Sequence, residues 1–77
     1  MTPAQSRMAR AGIGWGVREL AAKAQVSGAT IVDFETGKRT PHPRTLAALR
    51  AALEAAGVEF IAENGGGAGV RLRRPSD

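Results

Sequence analysis

Seventy-seven residues confine the chain to one small domain, and a chain of this size hides only about 60% of the surface it exposes when unfolded. The absence of cysteine removes disulfides and thiolate metal sites, a single histidine does not suffice for a zinc centre, and no cofactor is expected. No apolar run approaches the roughly 20 residues that cross a bilayer, and Met1 to Arg10 lacks the apolar centre of a signal peptide, so a cytoplasmic protein is expected whose formal charge of +4 suits a polyanion.

Thr2-Pro3-Ala4-Gln5 is a helix start: Thr2 caps, Pro3 fits the first helical position, and Gln5 stands where it reaches back to the cap. This first helix is expected to run to about Ala11, with Ala4, Met8 and Ala11 as its apolar edge and Gly12 or Gly14 as its stop. Arg7 and Arg10, three residues apart on one flank, read as a solvated face in preference to phosphate contacts. In the link Gly12-Ile13-Gly14-Trp15-Gly16, Ile13 and the only tryptophan are expected to pack over the core.

Val17, Leu20, Ala21 and Ala24 then fall at i, i+3, i+4 and i+7, the spacing of one apolar helical stripe, and Ile31 with Phe34 repeats the three-residue step after a break. Val26 plugs that break. Ser27 offers a side-chain oxygen to the first amides of a new helix, and Gly37 ends it in a left-handed conformation. Two short helices joined by a tight turn follow, the second from Ser27 to Thr36: a helix-turn-helix.

Lys38-Arg39-Thr40-Pro41-His42-Pro43-Arg44 is stiffened by two prolines and carries three cations just beyond that helix, so Lys38, Arg39, Thr40 and Arg44 are candidate phosphate contacts. A nucleotide-binding loop at Gly37-Lys38 is excluded, because Val32 stands where glycine is required and Arg39 where Ser or Thr is required. His42 reads as a cap or turn residue. A fourth helix is expected from Pro43 to Ala56, with Leu46, Leu49, Leu53 and Ala56 in one stripe, Gly57 in the left-handed terminal position and Val58 folded back onto Leu53.

Val58 to Ala62 and Gly69 to Arg74 read as two strands around a glycine-rich connection, with a loose tail as the competing reading. An isolated hairpin is marginal in water, so it must lie on the helices, pair with a second copy, or both. Val58, Phe60, Val70 and Leu72, with Ile61 on the opposite face, are the expected homodimer interface. Arg71, Arg73 and Arg74 serve equally as phosphate contacts or as charge guarding an exposed edge. The expected fold is mainly α: a four-helix domain over residues 1–57, then a β-hairpin and basic tail over 58–77 as the dimerisation element.

The matches Leu20, Ala21, Val26, Ser27, Ile31, Glu35, Gly37, Pro41, Thr45 and Leu46 make the stretch from Gly14 to Gly57 resemble the Cro and lambda-repressor-like (XRE) family, whose members are DNA-binding transcriptional regulators, usually dimeric. The resemblance implies that the helix from Ser27 enters the major groove, with Gly28, Ala29, Val32 and Asp33, and Thr30 beside them, at the base-reading places. These are poor readers: Ala29 and Val32 offer apolar contact to a thymine methyl, and Asp33 accepts from cytosine N4 but is repelled by phosphate. Among the phosphate-contacting places, Val17 stands where the family often has glutamine, Arg18 is its substitute, and Ser27 caps the groove helix. Gly16 replaces the family's usual capping Ser or Thr, and Gln25 occupies a position that commonly carries glycine and tends to be left-handed. Glu35 is expected to tie its helix to the backbone or to a basic side chain.

No nucleophile with a nearby base is visible, so a catalyst is not expected. The leading reading is a dimeric regulator on a palindromic operator; the alternative is a protein-interaction module, an anti-activator or antitoxin, that retains the fold.

Overall fold

A computed structural model describes residues 1–73. Four helices, α1 (Pro3–Ile13), α2 (Val17–Ala24), α3 (Gly28–Glu35) and α4 (Pro43–Ala55), precede an antiparallel hairpin of β1 (Val58–Ile61) and β2 (Gly69–Leu72). Strand pairing sets Val58 against Leu72, Glu59 against Arg71, Phe60 against Val70 and Ile61 against Gly69. Arg74 lies outside the described residues.

The caps follow the residue types. Thr2 Oγ1 accepts from the Gln5 amide at 3.0 Å, Gln5 Oε1 accepts from the Thr2 amide at 2.8 Å, and Gly14 in the left-handed region ends α1 two residues later than expected. His42 Nδ1 accepts from the Arg44 amide at 3.1 Å and starts α4. Gly57 follows α4 at φ 104°, and Val58 turns into the core beside Leu53.

One core unites every helix with β1: Ala9, Leu20, Ile31, Phe34, Leu49, Leu53 and Val58, with Ile13, Trp15, Val17, Val26, Leu46 and Phe60 packed around it. On α4 the expected stripe needs one change. Ala56 is exposed beyond the helix end, and Ala52 packs inward in its place.

The inward face of α1 is a larger correction. Ala4, Met8 and Ala11 are exposed, and Gln5, Ser6 and Ala9 are buried. Polar residues can face inward because each finds a partner. Gln5 Nε2 donates to the carbonyls of Ile61 at 3.0 Å and Gly69 at 2.9 Å, so one side chain caps α1 and fastens both strands to it. Ser6 Oγ donates to Glu35 Oε2 at 2.6 Å.

Glu35 is the hub of this arrangement. It is 5% exposed and meets Arg10 in a two-point ion pair, Nη2 to Oε1 at 2.6 Å and Nε to Oε2 at 2.9 Å. Arg7 Nη1 donates to the Glu35 backbone carbonyl. Arg10, expected on a solvated face, thus clamps the end of α3 to α1, while Arg7 is exposed as expected and reaches the same helix end with its guanidinium. Burial by itself pushes the Glu35 carboxyl up, but hydrogen bonds from Arg10 and Ser6 and the charges of Arg10 and Arg7 outweigh it and hold it below the ordinary glutamate range.

The hairpin lies across α1 and α4, not loose. Val58 is 1% exposed within its own chain, so it offers no surface to a second copy, contrary to its expected place in a dimer interface. Phe60 and Val70 are half-buried, Phe60 beneath the Arg50 guanidinium at 5.1 Å from the ring centre. Leu72 sits over Gly12, where an added Cβ would come within 3.3 Å of it. Ile61 and Leu72 remain 40% and 45% exposed. Arg71 pairs across the strands with Glu59 at 3.0 Å, and Arg73 Nη2 donates to the Glu54 carbonyl at 2.8 Å, so both are committed within the chain.

Candidate nucleic-acid interface

The turn between α2 and α3 is closed by two amides, those of Gln25 and Val26, on the Ala21 carbonyl. Gln25 pays for this with φ 57° and ψ 46°, a left-handed conformation of the kind a non-glycine residue adopts at about 1 kcal/mol. Val26 then drops against the core, and Ser27 Oγ accepts from the Thr30 amide at 3.1 Å to open α3. Val17 packs beneath the start of α3: a Cβ at Gly28 would lie 3.5 Å from Val17 Cγ1, an ordinary contact. The two helices are therefore held at fixed angle by apolar packing at both ends of the turn.

Helical spacing divides α3 cleanly. Ile31, Phe34 and Glu35 are buried, Ala29 and Val32 are exposed with half-buried Asp33 beside them, and half-buried Gly28 and Thr30 border that outer face on its two edges. Ser27 Oγ and Thr30 Oγ1 are 2.7 Å apart, and Thr36 Oγ1 donates to the Val32 carbonyl at 2.7 Å.

The segment after α3 turns back upon it. Gly37 at φ 76° reverses the chain, and the amides of Lys38 and Arg39 both donate to the Asp33 carbonyl, at 2.8 and 3.1 Å. Lys38, Arg39, Thr40 and Arg44 are all exposed. The side chains of Lys38, Arg39 and Arg44 have no ion-pair partner among the described residues, unlike those of Arg10, Arg50 and Arg71. This is an anchored run of uncommitted cations at one end of an outward-facing helix.

A family model for the helix-turn-helix domain matches residues 4–60. The chain belongs to that family. The match spans α1 to α4 and most of β1, and agrees with the resemblance to Cro and lambda-repressor-like regulators. No curated protein matches the chain. Helix-turn-helix domains are DNA-binding modules, and the two helices of the motif in this chain are α2 and α3.

Within that frame Glu19 was not anticipated. Its Oε1 accepts from the Gly16 amide at 3.0 Å, which satisfies the N-terminus of α2 that glycine cannot cap, and places a carboxylate beside the proposed phosphate contacts Val17 and Arg18. The pattern of an acidic residue three places after the cap was legible in the sequence. Among the described residues no group of three or more His, Cys, Asp or Glu side chains could hold a metal ion, and no helix is long and apolar enough to cross a membrane.

Proposed function

We propose that the protein is a sequence-specific DNA-binding transcriptional regulator that inserts α3 into the major groove. The observation that carries this reading is the outward face of α3, flanked by the exposed cations Lys38 and Arg39, whose amides the Asp33 carbonyl anchors at its end, and by exposed Arg44 at the start of α4. Gly28, Ala29, Thr30, Val32 and Asp33 face base edges; Val17 and Arg18 at the start of α2, with Ser27, Lys38, Arg39, Thr40 and Arg44, face phosphates. Binding is non-catalytic and takes place in the cytoplasm, on the nucleoid.

The working form is a homodimer on a palindrome, joined through the hairpin, with recognition helices about 34 Å apart for adjacent major grooves. The support is the exposed Ile61 and Leu72 on a sheet that, among the described residues, has two strands and no further strand on either edge. Ile61→Lys with Leu72→Lys should convert a dimer to a folded monomer in light scattering; an unchanged mass places the interface elsewhere. Deleting everything after Gly57 would not serve, because it also removes Val58 from the core.

Selection from random duplex DNA tests the main reading, and a palindromic preferred site is the expected result. Lys38→Ala, Arg39→Ala and Arg44→Ala should each weaken all sequences alike and lower the salt slope by about 1. Capture of a protein partner with no salt-dependent binding to any duplex would select the anti-activator or antitoxin reading.

A further inference from the structure

On the reading that α3 enters the major groove, we propose that its outer face recognises 5-methylcytosine. Ala29, Val32 and Asp33 stand at i, i+3 and i+4, so they form one contiguous patch on the helix surface. Val32, 46% exposed, is the largest apolar side chain that α3 leaves uncovered. The Asp33 carboxylate has no hydrogen-bond or ion-pair partner among the described residues, and the nearby hydroxyls of Ser27, Thr30 and Thr36 are turned to one another or to backbone. The patch thus presents methyl groups beside one strong acceptor and no side-chain nitrogen donor.

Base chemistry sorts against that combination. Thymine carries a C5 methyl, but beside it is the O4 acceptor, which faces the carboxylate acceptor to acceptor. Unmodified cytosine offers the N4 amino donor to Asp33 and nothing for Val32. Adenine offers N6–H next to the N7 acceptor and has no methyl. In 5-methylcytosine the C5 methyl and the N4–H donor sit on adjacent ring carbons, and the proton not used in base pairing points into the groove. Methylation on the amino nitrogen itself, in N4-methylcytosine or N6-methyladenine, replaces that groove-facing proton and removes the donor. Asp33, a liability against phosphate, becomes the group that separates 5-methylcytosine from thymine.

The test starts with two random duplex libraries, one of ordinary composition and one in which every cytosine is 5-methylcytosine, each selected against the full chain. At one position of the recovered site, 5-methylcytosine should bind about fourfold tighter than cytosine, the worth of one buried methyl group. It should exceed thymine by at least about fivefold. Val32→Ala should shrink the first gap, and Asp33→Ala should close the second by restoring thymine. Salt-dependent, site-specific binding that is equal for cytosine and 5-methylcytosine overturns this inference and leaves DNA recognition standing. Failure to bind either library overturns both. A methyl preference that survives Val32→Ala overturns the assignment to this patch.

Discussion

Removing the Arg10 side chain as Arg10→Met should destabilise the domain more than any change on its outer surface. Arg10 is 18% exposed and Glu35 5%, so the substitution strands a carboxylate that only Ser6 and the backbone-bound Arg7 still approach. Breaking a buried pair from one side costs about 3–5 kcal/mol, and the residual exposure of Arg10 points to the lower end, about 3 kcal/mol. Total stability for a chain of this length is about 4–12 kcal/mol, so the loss is a large fraction of the whole. With a urea slope near 1 kcal/mol/M, the midpoint should fall by about 3 M. Glu35→Gln should cost less, about 1–2 kcal/mol, because the freed guanidinium can turn to water while the amide still accepts from Ser6.

The pH dependence gives an independent reading of the same pair. In the parent chain the Glu35 carboxyl is held below its ordinary value, so its contribution is present above the unfolded glutamate pKa of about 4.3 and is lost as pH falls through the lower folded value. In Arg10→Met the ion pair is gone and only Ser6 and Arg7 still hold the carboxyl down against burial, so it moves up from its position in the parent chain. The acid-side loss of stability that Glu35 gives the parent chain should therefore shrink, and the slope below about pH 4.3 become shallower. Urea melts followed by circular dichroism between pH 3 and 8 measure both effects (about 3 to 8 spans the relevant carboxylate range). A midpoint shift under about 0.5 M, or an acid-side slope as steep as that of the parent chain, would refute the buried-hub account of Glu35.

Three further outcomes follow from the geometry. Gln25→Gly should raise stability by about 1 kcal/mol in the same melts, because φ 57° carries no steric penalty for glycine; a loss would mean that the Gln25 side chain contributes something its contacts do not display. Gln5→Leu removes the donor to the Ile61 and Gly69 carbonyls, and should speed amide exchange in β1 and β2 while leaving α2 and α3 protected. Ala29→Glu or Thr30→Glu should abolish duplex binding with an unchanged circular dichroism spectrum, since both lie on the outer side of α3; retained binding would remove that face from the groove.

What the sequence determined by itself is local. Apolar spacing, caps and glycines placed α2, the turn, α3 and the end of α4, because each depends on residues within about one helical turn of one another. The capping role of His42 was legible in the same way, and the left-handed Gln25 through the family resemblance alone. Tertiary structure alone decided which face of α1 is inward. Apolar count favoured Ala4, Met8 and Ala11, yet Gln5, Ser6 and Arg10 face the body of the fold because their partners, the hairpin carbonyls and Glu35, lie 25 to 64 residues away in the chain. It also decided that Val58 belongs to the chain's own core and that Arg71 and Arg73 are committed within it, while Lys38, Arg39 and Arg44 have no ion-pair partner among the described residues. A polar side chain's role is set by the group it meets, and that meeting is made only when the chain closes on itself.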